Sequence, residues 1–148
     1  MKALLQRSKN SLILAGGETI AEISHGLVVF AGFGPNDSQE TAMAMAKKIA
    51  GLRIFEDSSG KMNKSILQTG GEILLASQFT LYAETKKSGM RPSFSSAMEY
   101  GQAQKLFALF SGMLEGLGVA TKRGIFGADL LVSIENDGPV TILLENDP

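Results

Sequence analysis

The sequence predicts a mixed α/β domain whose sheets carry two main helices, and three observations predict it. Short β-type runs and longer helical runs follow one another as strands, helix, strands, helix, strands, an order that suits a mixed sheet covered by helices. The length of 148 residues suits one domain, 1–148, with no internal repeat, low-complexity tract or linker. The 44% hydrophobic content with 20% charged residues is that of a globular chain that buries a core.

Each element has its own warrant. Residues 2–8 alternate as a first strand, with Ala3, Leu5 and Arg7 on one face and Leu4 and Gln6 on the other. Leu12–Leu14 and Thr19–Ile23 flank Gly16-Gly17, a pair that tolerates the positive φ of a tight hairpin turn. Leu27-Val28-Val29-Phe30-Ala31 is nearly continuous apolar sequence, which places it centrally in the sheet. Asn36, Asp37 and Ser38 offer N-caps for a helix in which Ala42, Met45, Ala46 and Ile49 recur at helical spacing up to Gly51. Leu52–Phe55 reads as a short strand and Glu56–Lys61 as a turn-rich loop, while Ser65–Gln68 is ambiguous. Ile73–Ala76, preceded by Gly70-Gly71, reads as a buried strand. Ser96 and Glu99 have capping-box spacing ahead of a long amphipathic stripe from Ala103 to Leu117, ended by Gly116 and Gly118. Residues 128–135 and 140–145 read as two last strands joined by a loop, Asn136-Asp137-Gly138-Pro139.

Composition excludes several chemistries. With no cysteine there is no disulfide, thiolate metal site or Cys nucleophile. The absence of an apolar run near membrane-spanning length, together with an N-terminus unlike a signal peptide, leads to the expectation of a cytoplasmic protein without a membrane partner. A formal charge of −1 argues against nonspecific coating of nucleic acid, and no DNA partner is expected. A polyanion would be gripped locally, near Lys61, Lys64, Lys86, Lys87 and Arg91. The single histidine, His25, leaves too few ligands for a His-based metal site. No metal and no cofactor are expected; Gly32-Phe33-Gly34-Pro35 lacks the third glycine of a dinucleotide loop, and Pro35 removes an N–H.

Two stretches stand out. Ser77-Gln78-Phe79-Thr80-Leu81 continues the buried strand with a hydroxyl, an amide, a ring and a second hydroxyl. As a strand it would put Ser77, Phe79 and Leu81 on one face and Gln78 and Thr80 on the other. One reading is a strand end running to the surface; the other is a functional wall. Ser77 or Thr80 could be a nucleophile only if the fold brought His25 to it as base. Gly138-Pro139 reads either as hairpin loop or as an element that presents its carbonyls beside a glycine with no side chain. The tertiary amide narrows the trans preference to about 0.5–1 kcal/mol, so packing can hold a cis bond there.

Taken together, several motifs resemble the D-aminoacyl-tRNA deacylases. They are Leu5-Gln6-Arg7, Leu52–Asp57 with Gly60–Asn63, Ser77–Tyr82, Arg91–Phe94, Phe126–Asp129 and Asn136–Thr141, in the family's order and across nearly the whole chain. Ser8, Gly124-Ile125 and Ser88-Gly89-Met90 depart from the family's pattern. The resemblance implies a mixed-sheet fold with a barrel-like core flanked by two main helices. It implies hydrolysis of the ester between a D-amino acid and the 3′ end of tRNA, with glycine on mischarged tRNA-Ala also removed. It further implies a homodimer with active sites at the interface. In that scheme Ser77 and Thr80 sit at the scissile ester, and Gln78, Phe79 and Phe126 bind substrate. Gly138 and Pro139, cis, reach into the partner's site to reject an L side chain, and Arg7 orients them. Catalysis would lean on the tRNA 2′-OH, with Thr80 as nucleophile the rival mechanism. Two other classes stay open: a non-catalytic module that binds an RNA 3′ end, and a serine-type esterase using His25.

Overall fold

The computed structural model describes residues 1–86 and 89–146, so Lys87 and Ser88, part of the expected basic cluster and of the family departures, lie outside the described residues. Three layers make up the domain. The middle layer is a five-stranded mixed sheet in the order β10 (Asn136–Glu145), β1 (Lys2–Ser8), β4 (Gly26–Gly32), β7 (Glu72–Ser77) and β8 (Thr121–Arg123). Strands β10, β1 and β4 pair antiparallel, whereas β4, β7 and β8 run parallel. As expected of its apolar run, β4 is the central strand, and Leu27, Val28 and Val29 are fully buried.

Alternation along β4 and β7 divides the interior into two cores. Leu27, Val29, Ala31, Ile73 and Leu75 face the helices α1 (Gln39–Gly51) and α3 (Tyr100–Gly116), joining Ala42, Met45, Ile49, Leu106, Phe110 and Leu114 in one apolar cluster. Val28, Leu74 and Ala76 point the other way and meet Ile13, Ala21 and Ile23. Those last three belong to a small sheet in the order β3 (Glu18–Ile23), β2 (Ser11–Ala15) and β9 (Leu130–Ser133). Burial on both faces explains why β4 and β7 are continuously apolar and not alternating.

Local chemistry sets the ends of the elements. Ser38 caps α1, its Oγ accepting from Thr41 N while Thr41 Oγ1 accepts from Ser38 N. Gly70, at φ 66°, ends the single-turn helix α2 (Ile66–Thr69), resolving the ambiguous Ser65–Gln68 stretch as helical.

Several expectations are corrected. The Leu52–Phe55 strand shrinks to β5 (Phe55–Glu56), paired with β6 (Met62–Lys64), because the chain spends residues 52–54 leaving α1. Glu99, not Ser96, caps α3, its carboxylate accepting from Gly101 N and Gln102 N, while Ser96 Oγ donates to Glu84. Residues 136–139 are no hairpin loop: β9 and β10 belong to different sheets, and β10 already pairs with β1 at Ser8 and Asn136. β8, a polar three-residue strand, has no counterpart among the elements expected from the sequence. Among the described residues the sheets do not close into a barrel; β10 and β8 stand at the two ends of the larger sheet.

Candidate active site

Where β4 and β7 end side by side, a cavity of about 370 Å³ opens. Its inner wall is Ala31, Gly32 and Phe33 after β4 with Ser77 and Gln78 after β7; Phe79 and Phe94 form one flank, and Tyr100, Phe126 and Gly127 the other. Met98 and Ala103, at the start of α3, complete the apolar lining. The volume lies within the roughly 300–1,000 Å³ of small-molecule clefts. Two edge-to-face pairs brace the flanks: Phe79 on Phe94 with centroids 5.0 Å apart, and Tyr100 on Phe126 at 5.2 Å. Phe126 rests in turn on Phe107 of α3.

The Ser77–Leu81 stretch departs from the strand reading. Pairing stops at Ser77, and Phe79–Tyr82 turn as a 3-10 helix. Gln78 N donates to Ala31 O at 2.8 Å, which curls the chain over the end of β4. Face alternation therefore ends at Ser77. Ser77, Gln78 and Phe79 all line the cavity, Phe79 with 58% of its surface exposed, whereas Thr80 lies outside the lining. The Gln78 side-chain amide donates to Thr80 Oγ1.

Among the described residues, no carboxylate, imidazole or amine lines the cavity. His25 precedes β4 at the opposite end from Ser77, about five residues of parallel strand away, on the order of 17 Å at ~3.3 Å per residue. A triad of Ser77, or of the adjoining Thr80, with His25 is thereby excluded within the chain. The two carboxylates held below the ordinary range serve structure. Asp57 is lowered by hydrogen bonds from Lys61 N and Ser59 N, and Glu99 by those from Gly101 N and Gln102 N.

Gly138 and Pro139 are far from this cavity in the same chain. Ser77 is level with Ala31, Ala3 and then Leu144, so the pair lies three strands across and about five residues along, on the order of 20 Å. Their peptide bond is cis, and both residues are exposed. The segment is fixed from beneath. Arg7, 5% exposed, donates from Nε to Asp137 O at 3.1 Å and from Nη1 to Ile54 O at 2.9 Å. The carboxylates of Asp137 and Glu56 flank the guanidinium at 3.4 and 3.5 Å. Asn136 staples the segment across its base, Oδ1 accepting from Val140 N and Nδ2 donating to Thr141 Oγ1. The Leu52–Asp57 motif, to which the sequence alone attached no function, thus supplies part of the Arg7 cradle.

The described basic residues do not form one patch. Lys61 and Lys64 belong to the β5–β6 hairpin on the Arg7 side, while Lys86 and Arg91 follow the 3-10 turn on the cavity side. Several lining residues have no forecast: Phe33, Ala97, Met98, Tyr100 and Ala103. The one signal for them is that Arg91–Phe94 and the start of the α3 stripe flank the Ser77 motif in sequence.

Residues 4–145 match the profile of the family described as D-Tyr-tRNA(Tyr) deacylase. The chain belongs to that family. The relative named D-aminoacyl-tRNA deacylase in Halalkalibacterium halodurans (strain ATCC BAA-125 / DSM 18197 / FERM 7344 / JCM 9153 / C-125) is 47% identical over 146 residues, covering 99% of each chain. The relative of that name in Lacticaseibacillus casei (strain BL23) is 44% identical over 147 residues, again covering 99% of each. A solved structure titled c-Myc DNA Unwinding Element Binding Protein superposes with a TM-score of 0.92 at 40% identity over 100% of both chains. A second, titled as a probable eukaryotic D-amino acid tRNA deacylase, has a TM-score of 0.83 at 16% identity over 97% of both, a likeness of fold. Family membership therefore covers both the cavity residues Ser77–Phe79 and the distant Gly138–Pro139 segment.

Proposed function

We propose that the chain is a D-aminoacyl-tRNA deacylase, hydrolysing the ester between a D-amino acid and the 3′-terminal ribose of tRNA. Whole-length membership of the deacylase family is the observation that carries this reading. The cavity adds to it: an apolar slot with three polar side chains, Ser77, Gln78 and Tyr100, suits a nucleoside and its ester better than a free charged metabolite. Water adds to the ester carbonyl carbon, the bond from that carbon to the ribose oxygen breaks, and the ribose oxygen takes up the proton.

Protein groups position and do not attack. Among the described residues the lining carries no carboxylate, imidazole or amine to serve as base, which favours assistance by the vicinal 2′-OH of the tRNA over a protein nucleophile. Ser77, Gln78 and Phe79 hold the terminal adenosine and the ester, and Phe126 closes the slot. With Gln78 N committed to Ala31 O, backbone N–H groups at the start of the 3-10 turn stabilise the oxyanion. Thr80, outside the lining, acts as a positioning group through the hydrogen bond that its Oγ1 accepts from the Gln78 side chain.

Gly138 and Pro139 come from a second copy of the chain. Their exposure, and their remoteness from Ser77 in one chain, favour a homodimer in which each copy completes the other's site. Their carbonyls receive the substrate's α-amino group and leave no room for an L side chain, while Arg7 orients them from beneath. Glycine has no side chain to reject, so glycyl-tRNA mischarged on tRNA-Ala is a second substrate. A tRNA substrate places the protein in the cytoplasm.

Matched D- and L-aminoacyl-tRNA test the reading. Release of the D acid alone is expected, with loss of release when the terminal 2′-OH is removed from the tRNA. Equal release of both acids refutes the chirality claim. Retention of the RNA with no release of either acid replaces the enzyme by a non-catalytic module that binds an RNA 3′ end.

A further inference from the structure

A second hollow adjoins the cavity, and Phe126 belongs to the walls of both. It encloses about 360 Å³ between α3, which gives Gln104 and Phe107, and the end of β8, which gives Arg123 and then Ile125. The Phe126 ring packs on Tyr100, which lines the first cavity, and on Phe107, which lines the second, with centroids 5.2 and 5.6 Å away. Tyr100, Gln104 and Ala108 stand one helical turn apart on α3, so a single ridge of that helix runs from the first cavity into the second.

The register of β8 decides which charge the hollow receives. Ile73 is level with Thr121, Leu74 with Lys122 and Leu75 with Arg123. Ile73 and Leu75 face the helices and Leu74 faces the small sheet, so Arg123 stands on the helix side and Lys122 on the other. Lys122 is engaged there: its Nζ lies 3.0 Å from the Glu72 carboxylate and donates to Glu22 O at 2.9 Å. Arg123 is exposed and, among the described residues, has neither an ion pair nor a side-chain hydrogen bond. No carboxylate lines the hollow among the described residues. Gly124 then turns the chain. Its N donates to Leu75 O at 2.9 Å, and a Cβ on it would lie 2.8 Å from Leu130 Cδ1 of the small sheet. The next residue, Ile125, is left 54% exposed at the rim.

A free guanidinium, an amide and an apolar surface thus stand one step beyond the slot that takes a nucleoside. A single RNA strand offers the matching groups at that step: a phosphodiester anion, a base edge with donors and acceptors, and a base face. We propose that this hollow is the subsite for the nucleotide 5′ to the terminal adenosine. Arg123 binds its phosphodiester, Gln104 meets its base edge, and Ile125 with Phe126 covers its face. The placing of the adenosine rests on the deacylase reading, to which the subsite adds recognition of the RNA strand. Arg123 is here a binding residue and takes no part in breaking the ester.

The test uses the full chain and two substrates, a D-aminoacyl-adenosine and the D-aminoacyl ester of the dinucleotide cytidylyl-adenosine. They differ only by the added phosphodiester and cytidine. The kcat/KM of the parent is expected to be about tenfold or more higher for the dinucleotide, with the gain falling as salt rises. In Arg123→Gln the ratio of the two kcat/KM values is expected to fall to within about twofold of one. A general loss of stability lowers both values and leaves their ratio as it was. A ratio near one in the parent overturns the proposal, as does a ratio indifferent to salt or one that Arg123→Gln retains. Should Arg123→Gln fail to fold, the parent's ratio and its fall with salt decide. A parent that hydrolyses neither ester refutes the deacylase reading. The affinities of unacylated adenosine and cytidylyl-adenosine, expected to differ by about tenfold in the parent and to converge in Arg123→Gln, then support or overturn the subsite alone.

Discussion

Gly138→Ala adds one methyl group at a place with no room for it. The new Cβ would lie 2.8 Å from Val140 Cγ2 and 3.1 Å from both Arg7 Nη2 and Val140 N. Neither neighbour yields easily. Val140 is buried at 9% exposure, and Arg7 is held by two carbonyls. The backbone is at φ +127°, where a residue with a side chain costs on the order of 1–3 kcal/mol. Displacing the guanidinium from Asp137 O loses a charged hydrogen bond, about 1.5–3 kcal/mol. Together these come to roughly 2.5–6 kcal/mol, which lowers Tm by roughly 5–24 °C in a domain of this size. The catalytic effect is larger than a stability loss alone, because a displacement of about 1 Å at a positioning group costs on the order of 100-fold in rate. Thermal unfolding and single-turnover hydrolysis of D- and L-aminoacyl-tRNA, at a temperature where the variant is folded, measure both. A Tm within about 2 °C of the parent together with unchanged rates and D/L ratio would refute the reasoning.

Thr80→Ala should keep single-turnover hydrolysis within about tenfold, since Thr80 lies outside the cavity lining; a loss of about 1,000-fold or more would restore it as nucleophile. His25→Ala should leave the rate unchanged, as His25 stands at the other end of the sheet; abolished activity would sink the present site assignment. Phe110→Ala empties a fully buried site edge-on to Phe33 and should cost about 3–5 kcal/mol in urea unfolding. Asp57→Asn should be destabilising at neutral pH in a pH-dependent way. The folded Asp57 pKa lies below the ordinary value of 3.8, so its stabilisation is present above that value and lost as pH falls through the folded pKa. The Tm difference between variant and parent should thus shrink under about pH 4, and a difference constant from pH 7 to about pH 2.5 would contradict the assignment.

Elements whose fate is set by burial were legible in the sequence. Leu27–Ala31 could be placed at the centre because only a strand covered on both faces is apolar throughout, and Ala42–Ile49 because its spacing leaves one face for a core. Segments settled by a distant partner were not. Phe79–Tyr82 keeps strand-like chemistry, yet Gln78 N turns back to Ala31 O and the alternation stops. Asn136–Pro139 has the composition of a loop, but Ser8 lies beside it and extends β10 through the glycine and proline. Thr121–Arg123 offers no apolar pattern at all and is a strand only because β7 presents an edge. At the site, Ser77, Gln78, Phe79 and Phe126 were legible through family motifs. Tyr100 and Met98 were not, since at the head of a helical stripe they look like ordinary core.

The pairing of β1 with β10 has a consequence for how the protein comes into being. The strand nearest the start of the chain finds one neighbour 18 to 30 residues on, from Ser8–Gly26 to Lys2–Gly32, and the other only about 140 residues on, at Leu143 and Leu144. Contacts so far apart in sequence slow folding, because the intervening chain must be ordered before they reward it. Until then β1 is a bare edge that can pair with another molecule. The same late docking sets Gly138 over Arg7. A nascent or prematurely ended chain can therefore form its slot while it still lacks the segment proposed to read handedness, and it carries a sticky strand that marks it as unfinished.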